Sequence, residues 1–229
     1  MDPFDKRENQ LKMLREIRIH YRTHSWKSDS AFATLIHTIL SQNTNDRNSD
    51  RAMTELRRHY VINPSSLANA KTADLMCLIR PAGLYRSKAA HIREVSNIIQ
   101  KEYGGKLTRI LRLSYLSAKE KLTSLPGVGP KTADILLAFV AGHQIVPVDT
   151  HVSRIAKRLG IVPKNASYET IRLSLESLTV PSQRKVLHLS MIKFGRTTCK
   201  SPKPLCEKCP ISSSCPSSRV NLNVVNNSF

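Results

Sequence analysis

The sequence predicts an all-α fold, and three observations support that class. Apolar residues recur at helical spacing in successive stretches, the clearest of which contains Phe32, Leu35, Ile36, Ile39 and Leu40. Aromatic residues make up only 5% of the 229-residue chain, and long alternations of Val, Ile and Tyr are missing, which argues against a large β-sheet. Short polar connections separate the stretches. The length allows one large or two small domains with hydrophobic cores.

Helices in the first half of the chain are predicted from apolar spacing and from the turn residues that end each stretch. The first and third helices carry Leu11, Leu14, Ile17 and Tyr21, and Met53, Leu56 and Tyr60, respectively. Asn63-Pro64-Ser65 predicts a break, and a helix over residues 66–79 then places Cys77 on its buried side as a core residue. The turn Pro81-Ala82-Gly83 precedes a helix over residues 87–101, which Gly104-Gly105 ends.

The second half of the chain continues the helical pattern up to a cysteine-rich segment. Ser117 and Glu120 predict a capping box for a short helix that ends near Ser124. Further helices are predicted over residues 130–141, 150–159, 168–178 and 182–194. Beyond Arg196 the sequence is rich in Cys, Pro, Ser and Lys and has no periodicity, and residues 219–229 are expected to be a frayed tail.

The charge balance predicts a polyanionic partner. Lys and Arg number 36 against 17 Asp and Glu, which leaves a formal net charge of +19 spread along the chain. A phosphate backbone is the favoured partner. An anionic membrane surface is the alternative, but no predicted helix has a wide apolar face opposite a lysine-rich one. The start MDPFDKRENQ lacks the apolar segment of a signal peptide, and the longest apolar run, residues 135–141, is too short to cross a bilayer.

Two glycines, in Gly127-Val128-Gly129, stand between two predicted helices and allow a tight hairpin. Such a turn beside a helix N-terminus suits phosphate binding, and an ordinary helix–helix turn is the alternative. Lys131 lies in the first turn of the second helix, where the helix dipole disfavours a cation. The dipole and burial both favour the neutral amine, which is able to form a Schiff base with a sugar C1′. From the residues alone, that function and a simple phosphate clamp are equally supported.

Asp149 follows the stretch Ile145-Val146-Pro147-Val148, which is expected to be extended, and precedes a predicted helix. A helix over residues 130–141 advances about 18 Å, and residues 143–148 return about 20 Å when extended. The chain is therefore able to bring Asp149 back to Lys131. Asp149 is well placed to cap the next helix, and capping alone is the alternative to a chemical role. A fixed carboxylate beside a sugar also stabilises an oxocarbenium-like transition state and helps to deprotonate a lysine.

Four cysteines form one cluster with the spacing C-x6-C-x2-C-x5-C: Cys199, Cys206, Cys209 and Cys215. We expect an intracellular protein (in the cytoplasm or nucleoid of a prokaryote, or in the nucleus of a eukaryote), in which clustered thiols indicate metal before disulfides. Four thiolates suit zinc or an iron–sulfur cluster. Five cations surround this segment: Lys193, Arg196, Lys200, Lys203 and Lys208. They predict a rigid phosphate-binding surface, with a solvated charged loop as the alternative.

Three segments together resemble the endonuclease III group of DNA glycosylases. Residues 125–133 (LPGVGPKTA) look like that group's helix-hairpin-helix, residues 148–152 (VDTHV) resemble the segment that bears its catalytic aspartate, and the cysteine spacing is that of its 4Fe–4S cluster. Residues 39–46 (ILSQNTND) and 82–89 (AGLYRSKA) resemble two segments that contact DNA where the base is extruded. The resemblance extends from about residue 10 to Cys215.

The resemblance implies two helical domains with a DNA-binding cleft between them. A six-helix barrel that ends in the helix-hairpin-helix would span residues 25–143, and residues 1–24 with 144–218 would form the domain of the cluster. Lys131 and Asp149 would be the catalytic residues, and the four cysteines would hold one 4Fe–4S cluster. Members that only remove bases lack a lysine at this place. The implied protein is therefore a monomeric DNA N-glycosylase with abasic-site (AP) lyase activity that acts on damaged double-stranded DNA, by default on an oxidised pyrimidine.

One departure from the group concerns Asn43. Typical members have glutamine at that place, where the residue helps to fill the gap left by the extruded nucleotide; here Gln42 stands one position earlier. Leu84 is retained as the second wedge. The expected DNA contacts are Gly127, Val128, Gly129, Gln42, Asn43, Leu84, Lys200, Lys203 and Lys208.

Two other functions compete with this expectation. One is a monofunctional mismatch glycosylase, acting on uracil or thymine opposite guanine, in which Lys131 binds a phosphate. The other is a non-catalytic helix-hairpin-helix module that only binds DNA.

Overall fold

The computed structural model describes residues 3–23, 29–218 and 220. These residues form α-helices and short 3₁₀ turns and contain no strand, which confirms the all-α class. In chain order the helices are α1 (Pro3–His20), α2 (Ala31–Leu40), α3 (Asp46–His59), α4 (Pro64–Asn69), α5 (Thr72–Leu78), α6 (Tyr85–Tyr103), α7 (Thr108–Leu111), α8 (Tyr115–Thr123), α9 (Pro130–Phe139), α10 (Thr150–Arg158), α11 (Tyr168–Ser177) and α12 (Arg184–Thr197). Of these described helices, none combines the length and apolar character that a bilayer crossing requires. Apart from Val220, the predicted tail at 219–229 lies outside the described residues.

The chain divides into two compact units. We call Trp26–His143 the central unit, and Met1–Ser25 with Gln144–Phe229 the terminal unit. In the central unit α2 is buried along most of its length, because its apolar residues cover more than one face. Helix α2 packs against α9, α9 packs against α8, and α4 packs along α6. These contacts support the loop and the hairpin that carry the candidate site.

The terminal unit is built from α1, α10, α11 and α12, and α12 packs against both α1 and α10. Its core contains apolar residues from all four helices, among them Leu14, Ile17, Val152, Ile155, Leu175, Met191 and Phe194. Leu11, which shares the apolar spacing of α1, is 40% exposed, because the buried face of α1 is centred on Met13, Leu14 and Ile17.

Three local predictions were wrong, because the predicted positions of one chain break and one helix cap differ from the observed positions. The helix expected over residues 66–79 is two helices, since Asn63 caps α4 through Ser66 N–H and the chain turns extended at Ala70 before α5. That break changes the helical phase, so Cys77 is exposed and not a core residue. The N-cap of α8 is Ser114, which accepts from the N–H of Ser117, and not Ser117 itself.

Candidate active site

The hairpin between α8 and α9 depends on a glycine for its conformation. Gly127 has a φ of +74°, and a Cβ there would stand 2.9 Å from the side chain of His91, so both backbone and space exclude a larger residue. Val128 donates its N–H to the carbonyl of Leu125 at 3.1 Å. Its side chain is buried, so the expected DNA contact of Val128 is restricted to its main chain. Gly129 is exposed, with open space on its Cβ side.

Lys131 is the second residue of α9 and is half-buried. The next turn of α9 is fixed by a buried carboxylate, Asp134, which is 0% exposed. Asp134 accepts hydrogen bonds from the Tyr115 hydroxyl at 3.1 Å and from Lys119 Nζ at 3.2 Å. Because both donors lie on α8, this network ties the two helices of the hairpin together. The contacts with α8 therefore fix the position of the start of α9, where Lys131 lies.

Gln42 connects the loop after α2 to the hairpin. Its side-chain amide donates to the carbonyl of Gly127 at 2.9 Å and to the Thr132 hydroxyl at 3.2 Å. Gln42 is half-buried in this position. Gln42 therefore connects the loop to the start of α9 through hydrogen bonds. The DNA contact predicted for Gln42 would be a second role.

Asn43 and Leu84 share an uncommon backbone conformation. Their φ angles are 52° and 47°, and they are the non-glycine residues with positive φ in the described part of the chain. A left-handed conformation costs an L-residue about 1–2 kcal/mol, and such residues cluster at functional sites. Asn43 is exposed and Leu84 is 59% exposed, although leucine gains free energy from burial. Both predicted wedges are thus displayed to solvent by strained loops.

Asp149 caps α10 in the terminal unit, as its sequence position predicted. Its Oδ1 accepts the N–H of Val152 at 2.8 Å, and the residue is half-buried. Lys131 belongs to the central unit and Asp149 to the terminal unit. The meeting of the two side chains therefore stays a prediction.

Side chains of α11 and α12 hold the segment that leads to Asp149. Four side chains form hydrogen bonds with its main chain. Arg184 donates to Gln144 O at 2.7 Å, and His188 donates to Pro147 O at 2.8 Å. Glu176 accepts from the N–H of Val146 at 3.1 Å, and the Tyr168 hydroxyl accepts from the N–H of Val148 at 3.3 Å. Since the Pro147 carbonyl only accepts, His188 Nδ1 carries a proton. These four residues were not predicted from the sequence, because their partners are main-chain atoms that leave no motif.

The four cysteines of the terminal unit line a single cavity together with apolar residues such as Phe194 and Ile211. Burial raises the pKa of the Cys209 thiol to about 11, and the three neighbouring cysteines add to that rise. Burial likewise raises the pKa of Cys215. Cys209 and Cys215 therefore ionise readily only when a cation compensates their negative charge. Within the described residues, no three His, Cys, Asp or Glu side chains are arranged to hold a single metal ion.

Two arginines of α10 bind the beginning of the cysteine segment. Arg158 donates to Cys199 Sγ at 3.2 Å and to the carbonyl of Lys200 at 2.8 Å. Arg154 donates to the carbonyls of Cys199 at 3.0 Å and Gly195 at 2.9 Å. The helix that Asp149 caps is thereby joined to the first cysteine. Three lysines predicted to contact DNA, Lys200, Lys203 and Lys208, are exposed along the same segment.

This arrangement defines a class of helix-hairpin-helix protein with a half-buried lysine after the hairpin and a cysteine-lined loop. Comparison of the sequence with known proteins supports that class. Residues 36–181 match the family described as HhH-GPD superfamily base excision DNA repair protein. Endonuclease III of Thermotoga maritima is 40% identical over 189 residues, 82% of this chain and 84% of that protein. Endonuclease III of Sulfolobus acidocaldarius is 33% identical over 190 residues, 82% of this chain and 83% of that protein.

A solved structure agrees as well. The structure of a trapped endonuclease III–DNA covalent intermediate superposes with a TM-score of 0.84 at 27% identity, covering 94% of this chain and 98% of that one. The chain therefore belongs to the HhH-GPD superfamily of base excision DNA repair proteins. Within that superfamily it is an endonuclease III homologue, as the sequence resemblance predicted.

Proposed function

We propose that the protein is a bifunctional DNA N-glycosylase and AP lyase of base excision repair. It removes a damaged base from double-stranded DNA and nicks the strand at the resulting abasic site. The observation that carries this function is the position of Lys131 at the start of α9, directly after a hairpin that requires Gly127. The family membership and the covalent protein–DNA intermediate reported for a structural relative support the same chemistry.

Lys131 supplies the nucleophile in this reaction. Its neutral amine attacks C1′ of the extruded nucleotide, the bond from C1′ to the base breaks, and the base leaves with a proton. Opening of the sugar gives a Schiff base between Lys131 Nζ and C1′. Loss of a proton from C2′ then expels the 3′ phosphate by β-elimination, which cuts the strand. Asp149 contributes the anion that stabilises positive charge on the sugar and assists in removing the proton from Lys131.

Borohydride trapping tests the proposal directly. Lys131→Gln should abolish both the trapped protein–DNA adduct and strand nicking, because glutamine has no nucleophilic amine. DNA affinity should fall only modestly, since one cation among many is lost. Lys121→Gln is the matched control: Lys121 is exposed on α8 and its replacement removes the same charge near the hairpin. If Lys131→Gln still nicks damaged DNA at a rate close to wild type, another residue is the nucleophile.

The same assay separates the two competing functions. A monofunctional mismatch glycosylase would excise uracil or thymine opposite guanine without forming a trapped adduct. A module that only binds DNA would neither excise nor nick. A panel of duplexes carrying oxidised pyrimidines, mismatched uracil or thymine, or modified cytosine, scored separately for excision and nicking, identifies the base; we propose oxidised pyrimidines as the preferred substrates of a monomeric enzyme that acts inside the cell.

We propose that Cys199, Cys206, Cys209 and Cys215 hold one 4Fe–4S cluster. The donor set fits, because the four thiols line one apolar cavity, and burial there raises the pKa values of Cys209 and Cys215, so that a bound cation is needed to compensate their thiolates. The four cysteines would hold the cluster through their thiolates, and this attachment would fix the loop that carries Lys200, Lys203 and Lys208. The two domains are proposed at residues 25–143 and at 1–24 with 144–218, and the compact units divide the chain at similar positions.

Metal analysis of the purified protein checks the cluster. We expect a yellow-brown protein with broad absorption near 400 nm, as in the endonuclease III group, and about four irons per chain. A colourless protein with one zinc per chain, produced in cells supplied with ample iron, would contradict the assignment.

A further inference from the structure

Lys88 is a buried lysine whose ammonium is fully used by main-chain carbonyls. Its side chain lies on α6 and the residue is 2% exposed. Its Nζ donates to Leu40 O at 2.8 Å, to Gln42 O at 2.6 Å and to Ala82 O at 2.8 Å. An ammonium has three N–H donors, so each donor has one acceptor. Lysine is almost never fully buried without such compensation.

The three carbonyls belong to two loops that carry the exposed residues with positive φ. Leu40 ends α2 and Gln42 follows it, so two of the bonds fix the chain immediately before Asn43. Ala82 ends a 3₁₀ turn, and its bond fixes the chain two residues before Leu84. The two loops are far apart in sequence, and Lys88 binds both through one atom. Its bonds therefore determine where Asn43 and Leu84 stand relative to each other.

Burial makes this arrangement unfavourable for the lysine itself. Desolvation lowers the pKa of Lys88, because the charged form has lost its water. An apolar residue would fill the same space without that cost, so the hydrogen bonds are what the lysine contributes. Gln42 extends the connection: its carbonyl accepts from Lys88 while its side-chain amide donates to Gly127 of the hairpin. One continuous set of hydrogen bonds thus links Lys88, the loop after α2 and the hairpin.

We propose that Lys88 is a positioning residue that holds the loops of Asn43 and Leu84 in one fixed geometry. As a result, Asn43 and Leu84 enter the duplex together when a base is extruded. The inference rests on the proposed glycosylase function, because wedges matter only where a nucleotide leaves the stack. Lys88 touches no reacting atom in this role and acts through the two loops.

Single-turnover excision by Lys88→Met tests the inference. Methionine is unbranched and keeps most of the length and apolar volume of the lysine side chain, but it has no hydrogen-bond donor. Excision from a paired duplex should slow by about tenfold or more, the scale for losing charge-assisted hydrogen bonds that hold a site's geometry. Cleavage of a pre-formed abasic site should fall much less. With 2-aminopurine opposite the lesion, the fluorescence change that reports unstacking should shrink in parallel with excision.

A double-mutant cycle distinguishes positioning from general stability. In an Asn43→Ala/Leu84→Ala background, Lys88→Met should slow excision little further, since the residues that it positions are already absent. Lys88→Gln retains two donors and should be intermediate; it also replaces Lys88→Met if thermal denaturation shows that the methionine variant is unfolded. Full additivity of the losses, or an unchanged unstacking signal in a folded variant, overturns the inference. Failure of the wild type to form a borohydride adduct would instead overturn the proposed function.

Discussion

Asp149 caps α10, and capping leaves its carboxylate able to take the proposed catalytic role. Its Oδ1 accepts the Val152 N–H, which satisfies an otherwise open donor at the start of α10. The preceding main chain is held by four side chains, which fixes where the carboxylate is presented. Capping therefore explains where Asp149 stands. The proposed chemistry uses the negative charge of the same carboxylate.

Replacing Asp149 by asparagine separates those roles. Asparagine is as good an N-cap as aspartate, so fold and DNA affinity should be retained. Base excision should fall by about 100-fold or more, the scale for losing a preorganised charge. Single-turnover excision and thermal denaturation measure the two effects. Glu102→Gln, an exposed charge loss at the end of α6, is the control and should behave as wild type. Equal excision by both variants would leave Asp149 with capping alone.

Individual residues also mark the limit of prediction from sequence. The cap at Asp149 and the glycine at position 127 were predictable, because their roles depend on neighbours along the chain. Lys88 was not, since its partners are carbonyls of Leu40, Gln42 and Ala82, and any residue type offers a carbonyl. Cys77 was misplaced because the break at Ala70 shifts the helical phase of α5, and no glycine or proline marks that break.

At the level of elements, the loops before α3 and α6 are constructed alike. Each ends a helical segment with a residue of positive φ, Asn43 or Leu84, and each is tied to Lys88 through its main chain. The sequence located both loops through their resemblance to the DNA-contacting segments of endonuclease III. Their positive φ could not be predicted from residue type. Glycine adopts positive φ without strain and so suggests it in a sequence, whereas asparagine and leucine give no such indication.

Removing either exposed side chain tests the loops as wedges. Asn43→Ala and Leu84→Ala should slow base excision from paired duplexes more than cleavage of pre-formed abasic sites, because something must fill the vacated stack during extrusion. The ratio of the two rates, measured on one duplex with and without the base, reports the effect. Val61→Ala is a suitable control, as Val61 is 71% exposed but lies outside these loops. Equal losses on both substrates would mean that Asn43 and Leu84 are not wedges.

For the whole molecule, net charge and helical periodicity were the most informative sequence features. Periodicity predicted the all-α class, and it placed most of the helices within a few residues of their observed ends. The positive charge is distributed over both units, on helices as well as on the cysteine loop. The domain relationship could not be obtained from local patterns, since residues 1–25 and 144–229 join one unit although the central unit lies between them in sequence.

The charge of +19 predicts binding that is dominated by phosphate contacts. Each neutralised phosphate releases condensed counterions, so affinity falls as salt rises. If six or more phosphates are contacted, raising salt from about 50 to about 200 mM should weaken duplex binding by about 10³-fold or more. Replacing Lys200, Lys203 and Lys208 by glutamine should lower the slope of log Kd against log salt by about one for each lysine that binds a phosphate. Fluorescence anisotropy over a salt series measures both quantities, with Lys101→Gln, exposed at the end of α6 opposite to Leu84, as the control for loss of surface charge. A nearly flat salt dependence would assign the basic surface to solubility, and an unchanged slope in the triple variant would remove the cysteine loop from the DNA contact.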